Sequence, residues 1–147
     1  MTELLHEIVI ERPIEEVFQF ATAPRYWPQW HPSTVSVDLS TQTSLLENQT
    51  VVEVIKVGLI KDTVTWTVRE HEAPNLWVIQ GLANNGGTAV LEYDFSKRKH
   101  ATHFRRVLNY QTSNLFMSVG DKLIGKRLMA KHSQQALQTL KALLENK

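Results

Sequence analysis

Apolar and polar residues alternate with a period of two along most of the chain and shift to helical spacing only near its end. In LLHEIVIE (residues 4–11), His6, Ile8 and Ile10 share one face and Leu5, Val9 and Glu11 the other, which predicts a strand. Pro13, with Glu15 and Glu16 behind it, marks a helix start, since a proline fits the first turn and carboxylates favour its unpaired N–H groups. Ile14, Val17, Phe18 and Ala21 form the apolar side of that short helix, and Pro24 ends it.

After the proline-broken segment APRYWPQWHPST (23–34) the alternation returns. Val35, Val37 and Leu39 are placed on one face, and Val52 and Val54 continue the theme in TVVEVIKVG. A turn at Leu59–Asp62 leads into DTVTWTVRE, where Val64, Trp66 and Val68 alternate with threonines and Arg69. LWVIQGL sets Trp77, Ile79 and Gly81 against Leu76, Val78 and Leu82. Asn84-Asn85-Gly86-Gly87 supplies residues that tolerate positive φ and reads as a hairpin turn. Ala89, Leu91, Tyr93 and Phe95 then share a face opposite Glu92 and Asp94, a charged turn follows at 97–100, and THFRRVLNY closes the series. From about Ser113 the period becomes helical: Leu115, Val119, Leu123, Ala130, Leu137 and Leu144 fall on one stripe, widened by Met129, Ala136 and Leu140, over ~45 Å. The expected architecture is α+β: a curved antiparallel sheet of about seven strands wrapped around a long C-terminal helix, with two short helices after the first strand.

Length and composition narrow the function classes. The 147 residues suit a single domain, 1–147, with a core of its own. The absence of cysteine excludes disulfides and thiolate chemistry and fits a reducing compartment. A net charge of +1 gives electrostatics little with which to recruit nucleic acid, so no nucleic-acid partner is expected. No run approaches the ~20 apolar residues of a membrane span, and MTELLHEIVIERP lacks the basic start and continuous apolar stretch of a secretory signal. A cytoplasmic domain without integral membrane association is the expectation, and nothing in the pattern fixes an oligomeric state.

The element order, with the phrase ERPIEEVFQFATAPRYWPQW and the closing helix ALQTLKALLENK, resembles the helix-grip superfamily of START-domain lipid carriers, birch-pollen-type allergens and polyketide cyclase/dehydrase-like proteins. The resemblance spans nearly the whole chain. It implies an elongated cavity between sheet and long helix, a hydrophobic small-molecule ligand such as a lipid, quinone or polyketide, and the short second helix at the mouth of the groove. Trp27, Trp30 and His31 would then stand where a ligand enters.

The residues themselves add detail. Aromatics join a large rigid apolar surface to a polar handle, which suits either a pocket wall or a core plug. Trp66, Trp77 and Tyr93 are expected on inward faces, with Tyr110, Phe116 and Leu123 as further ligand contacts. If Phe104, Leu108 and Tyr110 point inward, Arg106 points inward with them. A buried guanidinium must find an acceptor, either Glu53, Glu92 or Asp94 or else a ligand carboxylate or phosphate. Gly120 and Gly125 interrupt the long helix, which calls for close approach of the sheet or for a cavity against the helix. Lys122, Lys126, Arg127, Lys131 and His132 form a basic outer flank. His100 and His103 are too poorly placed for a metal, and no nucleophile-elbow or phosphate-loop pattern occurs, so no metal, cofactor or catalytic set is assigned. Three function classes follow: binding of a hydrophobic molecule, a cyclase- or dehydratase-type enzyme using His31, Tyr93 and Arg106, and a protein-interaction module.

Overall fold

A computed structural model describes residues 1–38, 43–112 and 119–147. Strand β1 (Thr2–Ile10) is followed by helix α1 (Ile14–Ala21), a 3-10 turn at Pro24–Tyr26 and the one-turn helix α2 (Trp27–Trp30). Six strands come next: β2 (Thr34–Val37), β3 (Thr50–Val57), β4 (Ile60–Glu72), β5 (Leu76–Ala83), β6 (Thr88–Arg98) and β7 (Ala101–Gln111). Helix α3 (Val119–Glu145) ends the chain. The strands form one antiparallel sheet in the order β1-β7-β6-β5-β4-β3-β2, a meander from β2 to β7 with β1 added beyond it. Helices α1 and α2 therefore carry the chain from one sheet edge to the other.

Side-chain parity along the strands decides what the concave face contains. Leu4 and Ile10 of β1, Val64, Trp66 and Val68 of β4, Trp77 and Ile79 of β5, Leu91, Tyr93 and Phe95 of β6, and Phe104 and Leu108 of β7 are buried on it. At the end closed by α1 the packing is aromatic. Phe95 stacks on Phe104 at 4.6 Å between ring centroids, Tyr93 meets Phe104 edge-on at 5.0 Å, and Phe18 of α1 meets Phe95 at 5.2 Å. Trp66 lies against the backbone of Gly81, where an added methyl group would sit 2.7 Å from two of its ring carbons.

The C-terminal half of α3 is fastened to β1. Lys141 Nζ donates to the Val9 carbonyl at 2.7 Å on the sheet edge, and the Glu11 N–H donates to Glu145 Oε2 at 2.8 Å. Arg12 donates from Nε to the Leu144 carbonyl at 2.8 Å and from Nη2 to the Lys147 carbonyl at 2.6 Å, which caps helix carbonyls otherwise left to water.

Two expectations change. Val35 and Val37 do not share a face: a bulge between Thr34 and Ser36 sets one extra residue against β3, so Thr34 and Val37 point inward while Val35 is half exposed. Leu39 lies outside the described residues, as do the first positions of the long helix, from Ser113 through Leu115. Leu123 is 50% exposed rather than on the buried stripe of α3.

The contact at Gly81 yields a test. Gly81→Ala forces a side chain into the space of the Trp66 ring, and a cost of about 1–3 kcal/mol is expected, read as a lower midpoint in urea unfolding.

Candidate functional site

Among these aromatic residues the concave face holds a polar cluster centred on Arg106. Strand β7 delivers it there, because the inward positions Phe104 and Leu108 leave Arg106 no other face, and it is only 5% exposed. Its Nη1 donates to Ser133 Oγ of α3 at 2.6 Å, and Nη2 lies 3.0 Å from His31 Nε2. Tyr93, directly opposite on β6, brings its hydroxyl into hydrogen-bonding reach of the guanidinium. The Nε atom has no partner. Glu53, on the same concave face, is engaged elsewhere: Thr34 Oγ1 donates to Oε2 at 2.5 Å and Trp66 Nε1 to Oε1 at 2.9 Å. Of the carboxylates expected to pair with Arg106, Glu92 and Asp94 are on the convex face, where Asp94 meets Arg105 at 3.6 Å. Among the described residues Arg106 forms no ion pair within 4.0 Å.

Burial sets the proton affinities of the cluster. His31 is held well below the usual histidine range by desolvation first, then by Arg106 and His132. Desolvation raises the Glu53 carboxyl, against the pull of its two hydrogen bonds and of Arg106. It also raises the Tyr93 phenol, with Arg106 opposing. His31 Nδ1 accepts from the Ser33 N–H at 3.2 Å, and Ser33 Oγ is 2.6 Å from His132 Nδ1, so the cluster runs on into α3.

The other sequence candidates divide into two groups. Trp27, Trp30 and Trp77 are buried: Trp27 Nε1 donates to the Ala21 carbonyl and Trp77 Nε1 to the Leu45 carbonyl, and all three residues are at most 3% exposed. Trp30 differs in that its buried Nε1 has no acceptor. His31, expected beside an open mouth, is instead half-buried against Arg106. Tyr110 is inward, opposite Ala89. Leu123 is half exposed, and Phe116 lies outside the described residues. His103 pairs with Glu7 at 2.6 Å on the outer face, and no cluster of metal-ligating side chains occurs among the described residues. Ser133 is the member that sequence reading missed.

Helix α3 leaves space beside this cluster. Its buried stripe is Ser133, Ala136, Leu137, Leu140 and Leu144. Projected back by one and two turns, that stripe reaches Met129 and Ala130, then Gly125 and Lys126. Met129, Ala130 and Gly125 are only partly buried, Lys126 is exposed, and a methyl group on Gly125 would touch nothing within 4 Å. Close approach of the sheet therefore does not explain this glycine; open space does. The facing strands present the half-buried apolar residues Val37, Ile55, Ala83 and Ala89. Met129 and Ala130 pack against the core, and ahead of them the burial of α3 falls off toward Gly125 and Leu123. One cleft of about 210 Å³ lies between α1 and the β6–β7 turn, and another of about 290 Å³ between β1 and α3 beside His6 and Gln134.

The sequence model of the family described as "Polyketide cyclase / dehydrase and lipid transport" matches residues 1–145. Solved structures with the same fold include TTHA0849 from Thermus thermophilus (TM-score 0.75, 16% identity, 96% of this chain and 95% of that one). A START superfamily protein from Mycobacterium smegmatis superposes with a TM-score of 0.74 at 11% identity, covering 97% of this chain and 98% of that one. Ara h 8.0201 superposes with a TM-score of 0.70 at 7% identity and 99% coverage of both chains. No curated protein matches the sequence. Among the described residues no helix is long and apolar enough to cross a membrane.

The depressed histidine gives a pH dependence with a definite sign. His31 binds its proton less readily in the folded chain than in the unfolded one, so its contribution to stability is complete above about 6.5 and is lost as pH falls toward its folded value. The urea midpoint of the wild type is expected to drop between pH 7.5 and pH 5.5, and His31→Gln to flatten that drop.

Proposed function

We propose that this chain, which belongs to the polyketide cyclase/dehydrase and lipid transport family, binds a hydrophobic small molecule in the groove between the concave sheet face and the first half of α3. The observation that supports the reading is the change along α3: the stripe that is buried from Ser133 to Leu144 is only partly buried at Met129, Ala130 and Gly125, and a methyl group on Gly125 would meet nothing within 4 Å. Apolar surface kept from its own core costs roughly 25 cal/mol per Å², and an apolar occupant recovers that free energy. The small side chains of Ala83 and Ala89 leave width for a chain or a ring. Trp66 and Tyr93 supply flat walls toward the inner end. A cytoplasmic site of action belongs to the same proposal.

A second reading, acid–base chemistry on an apolar ketone-bearing substrate, draws on one feature: His31 and Tyr93 both reach Arg106, so a neutral imidazole and a phenol stand beside one fixed cation. The interaction-module reading asks for an exposed apolar patch together with an essentially filled interior.

Titration with a fluorescent fatty-acid probe tests the binding reading. The wild type is expected to take up one equivalent, and Ala89→Phe, which plugs the floor, to weaken uptake by roughly tenfold or more with the circular dichroism spectrum unchanged. Absence of uptake by the wild type, or full uptake by the plugged variant, contradicts the assignment.

A further inference from the structure

Resting on the groove as a binding site, we propose that its ligand enters polar end first and that this end is an oxygen group that accepts hydrogen bonds without donating any, a carboxylate above all, seated on Arg106 and His31.

The argument is a count of donors and acceptors. His31 has a donor at each ring nitrogen, the Ser33 N–H at 3.2 Å from Nδ1 and the Arg106 Nη2–H at 3.0 Å from Nε2. A neutral imidazole has one acceptor nitrogen and one N–H. Whichever tautomer forms, one of these two contacts sets an N–H against an N–H. The protonated ring makes both contacts repulsive, in keeping with a histidine that resists its proton. Arg106 contributes a second surplus donor at Nε, which is buried and has no partner. A third sits on the residue before His31, at Trp30 Nε1.

Most nearby acceptors are already engaged; the exception is His6 Nδ1, which lies opposite Arg106 in the β1–β7 register and is buried without a partner. Glu53 accepts from Thr34 and Trp66, and Ser133 Oγ accepts from Arg106 Nη1. The cluster thus holds a fixed positive charge, an excess of N–H groups and, among the described residues, no carboxylate within ion-pair distance, enclosed where an unpaired charge is costly. A carboxylate offers about four acceptor positions and no donor, and it matches the planar fork of a guanidinium. An alcohol brings an O–H that needs an acceptor of its own.

Direction follows from where Arg106 sits. It lies under Ser133, at the last fully buried turn of α3, while the partly buried Met129, Ala130, Ala89, Ala83 and Ile55 lie at the margin of the core. A ligand with its oxygen group on Arg106 therefore lays its apolar tail along the groove.

Isothermal titration at pH 8 with dodecanoate and with 1-dodecanol, which share a chain and differ at the head, separates the two levels of the reading. The wild type is expected to bind the acid roughly tenfold to hundredfold more tightly than the alcohol. Arg106→Gln is expected to abolish that preference, keep the affinity for dodecanol and unfold at a temperature no lower than the wild type. A purely structural arginine would instead lower the unfolding temperature when removed. Equal affinity of the wild type for acid and alcohol overturns the head-group assignment and leaves the groove standing. Absence of binding by either overturns both. If Arg106→Gln does not fold, the acid-against-alcohol comparison on the wild type decides, together with whether dodecanoate alone shifts the Arg106 Nε–H resonance.

Discussion

A guanidinium that cannot give up its charge faces the inside of an aromatic sheet, and much of the structure is arranged around that fact. The two-residue period of β7 leaves no alternative, because Phe104 and Leu108 must be buried and Arg106 lies between them. Its partners are a serine, a phenol and an imidazole, all neutral. Interior cations in stable cores are normally matched by carboxylates, and here the inward carboxylate, Glu53, is held by a threonine and an indole instead. The chain tolerates a poorly compensated charge at its centre, which is the usual mark of a site rather than of a scaffold.

The long helix divides into two parts with different tasks. From Ser133 onward its apolar stripe is closed against the sheet and its end is tied to β1 through Lys141, Glu145 and Arg12. Ahead of Ser133 the same stripe is only partly buried at Met129 and Ala130, and Gly125 has open space around it. The division falls where the polar cluster begins, so the residue that bonds Arg106 also marks the limit of tight packing.

Most of the architecture was legible because each strand announces its faces by alternation and α3 announces itself by a change of period. Parity alone placed Trp66, Tyr93 and Arg106 on the concave face. It failed at Val35, where a bulge adds a residue without any compositional sign and reverses the faces beyond it. The proline-rich stretch has no period to read, so nothing in it showed that Trp27 and Trp30 are sealed while His31 turns toward Arg106. Ser133 carried a readable signal, a polar residue on the apolar stripe four before Leu137 and seven before Leu140. How deeply each turn of α3 is buried depends on the strands it faces and is written at no single position.

Trp66 joins two of these features, since its indole N–H holds Glu53 while its ring rests on the backbone of Gly81. Its excited state is sensitive to the charge and polarity around the ring. Any change in the ionisation of that carboxyl, or in what lies beside the ring, is therefore converted into a change of emission. The molecule carries its own optical gauge at the heart of the sheet.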